Sequence, residues 1–230
     1  VGLFWVLNPD CVVMPTAALA YAAKAEQVGA FGLMSGRTLY HDAPHRVQSD
    51  GARVSLWTGV CRNVNNGALP DEAAPPDVST IDYFIGANVI ASRAFLETVG
   101  LMPEEYFLYF EEVEWAIRRG GLPLVICPDA VVRHHAGTAI GSGSLENRPS
   151  GFANYFNFRN RLMFIRRNHP LGLPFGYVYS MLKIVKMLLY RDWDGARGAI
   201  FGLHALPPPP AIRAKLAPET AARAFGRAAV

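Results

Sequence analysis

Val1-Gly2-Leu3-Phe4-Trp5-Val6-Leu7-Asn8-Pro9-Asp10 is an apolar, strand-like run that stops in a turn and delivers a carboxylate just beyond it. Open α/β sheets gather ligand groups at the carboxyl ends of their strands, so the expected class is α/β with Asp10 facing a binding crevice. Pro9 removes a backbone donor and stiffens the turn, which aims the side chain. A hard oxygen held there suits Mg²⁺ or Mn²⁺ bridging a diphosphate. Asn-Pro-Asp is also a common turn, and on these residues alone the plain turn is the favoured reading. The run has no initiator Met, basic leader or small-residue cleavage site, so it is expected to belong inside a fold and not to a signal peptide.

Working outward, Thr16 is placed to cap a helix through about Gln27, with Gly29 as its stop. Residues 31–40 are expected as a strand, residues 41–76 as a long Gly, Asn, Asp and Pro-rich excursion with one hairpin, and residues 81–91 as a further strand. Ser92 caps a short helix closed by Gly100. The second half of residues 103–120 has helical character, and residues 122–127 and 130–133 are strand-like. A Gly/Ser loop over residues 137–150 leads to a helical pattern over residues 152–190, broken at Pro170 and Pro174. Residues 207–210 are four consecutive prolines, expected as a linker before a loosely held terminal helix.

The 230 residues are 51% apolar, 11% aromatic and 18% charged, values that exclude disorder and predict a packed core. Three isolated cysteines (Cys11, Cys61 and Cys127) are too few for a disulfide scaffold and lack zinc spacing. They point to a reducing compartment and to buried thiols. The net charge of +3 conceals an asymmetry: residues 1–150 carry 10 Lys/Arg against 16 Asp/Glu, and residues 151–230 carry 12 against 3. An acidic body followed by a basic, aromatic-rich region fits attraction to an anionic surface such as phospholipid or polyphosphate, and a solvated basic face is the plainer alternative. No recognition motif points to nucleic acid. Residues 171–190 are long enough to span a bilayer but contain Pro174, Lys183 and Lys186, so an amphipathic helix lying on a membrane is expected, with an ordinary core helix as the alternative and a span well behind both.

Glu111, Glu112 and Glu114 follow a nearly unbroken aromatic and apolar stretch. At 100° per residue Glu112 and Glu114 leave opposite sides of a helix. Glu114, four residues before Arg118, fits an exposed ion pair. Glu112 lies on another face with Ala116 leaving room beside it, where a carboxylate could act as a general base. An acidic first turn complementing the helix dipole is the alternative. His134 ends a strand, and an imidazole there could join Asp10 on a divalent ion or serve structure alone.

Taken in order, the motifs resemble family 2 glycosyltransferases, especially the rhamnosyltransferase-like branch. The resemblance rests on Leu7-Asn8-Pro9-Asp10; on Asp82-Tyr83-Phe84-Ile85-Gly86-Ala87 with Arg93-Ala94-Phe95; on Gly100-Leu101 with residues 106–115 and Arg118; and on Pro128-Asp129-Ala130-Val131-Val132 with His134. Residues 157–164, with Arg159-Asn160-Arg161, match the segment after the catalytic domain. This resemblance implies a GT-A, Rossmann-like fold that is N-terminally incomplete. Residues 1–150 would form the carboxyl-terminal part of the catalytic domain, and residues 151–230 a basic, membrane-associating region of amphipathic helices.

It further implies that Asp10 and His134 hold the metal, that Asn8 and Asp10 lie on the donor side, and that Gly86, Ala87 and Trp115 lie on the acceptor side. Glu112, with Glu111 as the other candidate, would be the general base of an inverting transfer from a nucleotide-sugar donor to a glycan or lipid-linked acceptor. Glu112 stands where the family usually has Asp, and Ala139 where it often has Ser. The family's nucleotide-contacting first half would lie upstream of Val1. The expected location is the cytoplasm, at the inner face of the cell membrane. The alternatives are a non-catalytic membrane-associated binding module or an inactive fragment, and a metal-dependent phosphohydrolase, which would need a second ligand cluster that the sequence lacks.

Overall fold

The computed structural model describes residues 2–137 and 141–226. Val1 and Ala139 therefore lie outside the described residues. In chain order the elements are β1 (Leu3–Leu7), β2 (Cys11–Val13), α1 (Ala17–Val28), β3 (Leu33–Tyr40), β4 (Val47–Ser49), β5 (Ala52–Val54), β6 (Cys61–Asn63), β7 (Asn88–Ser92), α2 (Arg93–Val99), α3 (Glu111–Ile117) and β8 (Leu124–His134). There follow α4 (Gly151–Asn168), α5 (Leu173–Leu189), α6 (Trp193–Leu203), α7 (Pro210–Arg213) and α8 (Pro218–Gly226). The chain divides into two compact units. One comprises the residues through Val54, Cys61–Met102 and Glu112–Ala136; the other comprises Ser55–Val60, Pro103–Glu111 and the chain from Gly137 onward. The division is thus discontinuous, and the second unit takes in two segments from the first half of the chain.

The first unit is built on a mixed sheet in the order β1-β7-β3-β8-β2, with β4 pairing β3 and β5-β6 forming a separate hairpin. β3 and β8 are parallel and the other pairs antiparallel, so β1, β3 and β8 all end at the same edge. This α/β architecture is compatible with a Rossmann-like glycosyltransferase fold. Met34, Phe31, Ile90, Cys127 and Ala130 form its core against Ala17 and Tyr21 of α1. Gly29 ends α1 with φ 72°, and Ser92 caps α2 by accepting a hydrogen bond from the Phe95 amide at 3.1 Å. Thr16 stands at the start of α1 but makes no side-chain cap.

Two expected strands over residues 122–133 form one, β8, whose register against β3 shifts between Ser35 and Arg37. Gly36 sits at that irregularity, where a Cβ would collide with the backbone carbonyl of Ala130. The strand expected over residues 81–91 is confined to Asn88–Ser92. Upstream, Tyr83 pairs instead with Ala52, and the Asp82 carboxylate accepts the Val54 amide at 2.8 Å. The Gly-rich excursion folds around Arg37, whose guanidinium grips Asp50 through two bonds of 2.7 and 2.8 Å and also donates to the carbonyls of Pro70 and Ala73.

In the second unit α4 packs on α6 through Gly198 and Gly202, whose missing side chains let the backbone of α6 approach the carbonyls of Gly151 and Tyr155. Pro174 lies in the first turn of α5 and so helps start that helix. The terminal segment is not loosely held. Ile212, Ala221 and Ala224 are buried, and Phe225 stacks on Phe156 at 5.5 Å. Among the described residues no helix is long and apolar enough to cross a membrane.

The segment Phe107-Leu108-Tyr109-Phe110 places three non-glycine residues at positive φ (63°, 66° and 75°). Left-handed backbone at bulky residues costs on the order of 1–3 kcal/mol each and persists only where the surroundings impose it. Here the fully buried Asn160 amide donates to the carbonyls of Tyr106, Leu108 and Tyr109, at 2.9, 2.6 and 3.0 Å. Beside it Arg159 donates to Tyr106 and Ala224 carbonyls and to the Asn160 side-chain oxygen, each at 2.8 Å, with its guanidinium 4.8 Å from the Phe156 ring centre.

Two substitutions test these constraints by urea unfolding. Gly36→Ala is expected to cost about 3 kcal/mol or more, because backbone must move to admit a methyl group. Asn160→Ala is expected to cost about 2–4 kcal/mol by stripping buried carbonyls of their donor.

Candidate functional site

The tripeptide Asn8-Pro9-Asp10 carries the chain from β1, at one edge of the sheet, to β2 at the other. It is pinned at both sides: the Asn8 amide donates to the Ala87 carbonyl at 3.1 Å, and the Asp10 carbonyl accepts from the His135 amide at 3.0 Å. Cys11 pairs with His134 across the β2–β8 ladder. Asp10 and His134 therefore meet at the strand ends, with Asp10 Oδ1 3.2 Å from His134 Nε2 and side chains 28% and 10% exposed.

The rest of the cluster defines what this pair can do. Gln48 Oε1 lies 2.8 Å from His134 Nδ1 and can only accept, so the Nδ1 proton is held there and Nε2 turns towards Asp10. Asn8 Nδ2 stands 3.4 Å from the same Nε2. Burial pushes the His134 pKa below its ordinary 6.5, against the opposing attraction of Asp10, which leaves a neutral imidazole at neutral pH. Asp10, Cys11 and His134 bring one ligand atom each within 4.8 Å of one another. Burial, reinforced by Asp10, pushes the Cys11 thiol up to about 11, and its S–H points to the Ala87 carbonyl at 3.3 Å. A protonated thiol is a poor ligand, so the usable donors are a carboxylate oxygen and an imidazole nitrogen, a set that fits Mn²⁺ or Mg²⁺ better than a thiophilic ion.

Gly86 and Ala87 link this cluster to α3. The Ala87 carbonyl receives Asn8 and Cys11, whereas the α-carbon of Gly86 faces Glu112, whose Cβ would lie 3.7 Å from a side chain built there. Glu112 is half-buried. Tyr83 is also its neighbour, its phenol held well above the ordinary pKa first by burial and further by Cys61 and Glu112. Glu111 is half-buried at the start of the helix.

Other expected residues fall elsewhere. Trp115 is 2% exposed, donates its indole N–H to the Gly100 carbonyl at 2.9 Å and meets Phe95 edge-on, so no ring face is open to an acceptor. Glu114 is buried and not the exposed partner of Arg118 that its spacing predicts. Cys61 is exposed, contrary to the expectation of three buried thiols. Sequence reasoning missed Gln48 and Cys11. Cys11 had a legible signal, since it adjoins Asp10, while Gln48 arrives through the short β4 that no local pattern marks.

The fold and cluster together define an α/β protein with an acid–imidazole pair at the carboxyl ends of its strands. Over 141 residues the chain is 32% identical to the dTDP-rhamnosyl transferase RfbF of Shigella flexneri, covering 51% of this chain and 46% of that protein. The chain thus spans about half the length of the curated relative it matches. No protein-family model matches it.

An NMR pH series should place the His134 midpoint below 6.5, and a midpoint above it would mean that the Asp10 attraction outweighs burial. Because the fold prefers neutral imidazole, the unfolded chain binds more protons in this range. The His134 contribution to stability is then present above pH 6.5 and lost as the pH falls through the folded pKa.

Proposed function

We propose that the protein is an inverting glycosyltransferase that moves a sugar, favoured as a deoxyhexose such as rhamnose, from a nucleotide-diphosphate donor to a glycan or lipid-linked acceptor of the cell envelope. The observation that carries this reading is the Gly86-Ala87 loop: Ala87 holds Asn8 and Cys11, which flank Asp10, while the next position, Gly86, faces Glu112. A transfer needs both elements: a place to hold leaving diphosphate and a carboxylate to take a proton. The partial identity to a rhamnosyl transferase supports the reaction class.

Asp10 and His134 would hold Mg²⁺ or Mn²⁺. The bound ion supplies positive charge to the departing diphosphate. Gln48 fixes the His134 tautomer, and Asn8, pinned to Ala87, sets the donor side of the cluster. Glu112 takes the proton of the acceptor hydroxyl as that oxygen attacks the sugar, with Glu111 as the neighbouring carboxylate that could substitute. Gly86 carries no side chain beside Glu112, and the acceptor is proposed to approach there. The basic region over residues 151–230 is proposed to keep the enzyme at the inner face of the cell membrane, close to a lipid-linked acceptor.

In the full-length protein, Glu112→Gln is expected to lower transfer by roughly 100-fold or more while donor and Mn²⁺ binding persist in calorimetry. Turnover close to that of the parent would remove Glu112 as the base. Asp10→Asn is expected to weaken Mn²⁺ binding at least about tenfold, since it deletes the anionic ligand.

A further inference from the structure

The outward side of α5 carries Phe175, Val178, Leu182, Val185 and Leu189, each between 47% and 78% exposed. Their alternating spacing of three and four residues places them within an arc of about 80° along the whole helix. The opposite side, Gly176, Ser180 and Ile184, is buried within the unit. Trp57, also exposed, meets Phe175 edge-on at 5.3 Å and extends the apolar surface. An apolar stripe of this length is unusual on a protein that meets only water.

One flank of the stripe is basic. Arg148, Lys183, Lys186, Tyr190 and Asp192 line a cavity of about 370 Å³. The Tyr190 ring has Arg148 on it at 5.7 Å and Lys186 at 5.7 Å, and Lys183 lies 5.6 Å from the Tyr179 ring. Asp192 spends its carboxylate capping α6, accepting the Gly195 amide at 3.0 Å. Three cations around one already engaged acid leave the cavity positive. Its mouth adjoins aromatic rings suited to a headgroup layer.

We infer that this face of α5 is a bilayer-docking surface: Phe175, Val178, Leu182, Val185, Leu189 and Trp57 enter the acyl boundary, and the Arg148–Lys183–Lys186 cavity seats the phosphate of an anionic phospholipid. The inference rests on the membrane-surface reading proposed above and assigns it to particular residues. The geometry is that of a helix lying in the interface plane, with apolar side chains down and lysines beside them. Charge complementarity selects the occupant, since a neutral protein surface would leave the three cations unmatched.

The test is co-sedimentation of the 230-residue chain with phosphatidylcholine vesicles with and without phosphatidylglycerol, at low and high salt. The parent chain is expected to bind only the anionic vesicles, and less so at high salt. Lys183→Gln with Lys186→Gln should weaken binding by roughly fivefold for each lysine, the equivalent of about 1 kcal/mol apiece. Leu182→Glu with Val185→Glu should weaken it at least about tenfold. All four positions are exposed, so unchanged circular dichroism is expected and confirms that the variants fold. If the parent binds and the variants bind equally well, the α5 assignment fails while the broader membrane reading stands. If the parent does not bind, both fail. A dimer that Leu182→Glu splits, with vesicle binding unchanged, would assign the face to a second copy and overturn the inference.

Discussion

The candidate site depends on the side chain of Asn88, which is completely buried at the start of β7. Its Oδ1 accepts from the Trp5 indole and the Tyr21 hydroxyl, both at 3.0 Å, while its backbone carbonyl accepts from Ser35 at 2.6 Å. Tyr21 in turn accepts the Gly36 amide at 2.7 Å. Asn88, through its side chain and its backbone carbonyl, therefore ties β1, α1 and β3 to β7 at the end of the sheet where β1, β3 and β8 stop. The adjoining residue, Ala87, then presents its carbonyl to Asn8 and Cys11. A buried polar hub tolerates little rearrangement, because any movement leaves a donor or acceptor unsatisfied in an apolar core. That rigidity gives the short Asn8-Pro9-Asp10 turn its direction.

Much of this was legible in the residues. The apolar run into Asn8-Pro9-Asp10, the Ser92 and Gly100 boundaries of α2 and the strand leading to His134 all follow from local chemistry, and local chemistry decides them. What was not legible depends on long-range pairing. Residues 81–87 have strand composition, yet Asp82 is recruited to the amide of Val54, and only Asn88–Ser92 can join the sheet. Trp115 belongs to a motif with functional neighbours, but its indole finds a partner at Gly100 and its ring finds Phe95. Glu114 has ideal spacing for a surface pair, and tertiary packing places it inside. Gln48 reaches His134 from 86 positions away, which no window of sequence could disclose.

The second unit uses polarity differently. Arg159 and Asn160 are buried not to face a ligand but to satisfy main-chain carbonyls that the left-handed turn leaves outside any helix or sheet. Burial lowers the Arg159 pKa from its ordinary value, and the Tyr155 phenol oxygen acts in the opposite direction. Glycine at positions 198 and 202 of α6 lets that helix meet the backbone of α4 at Gly151 and Tyr155.

The clamped turn also sets how this part of the protein comes apart. Because a single amide holds the carbonyls of Tyr106, Leu108 and Tyr109, withdrawing it strips all three at once. Arg159 extends the same dependence to Ala224, near the far end of the chain. Residues 106–110, α4 and α8 are thereby joined into one opening unit, whose amides would exchange with water together and only on the timescale of its collective unfolding.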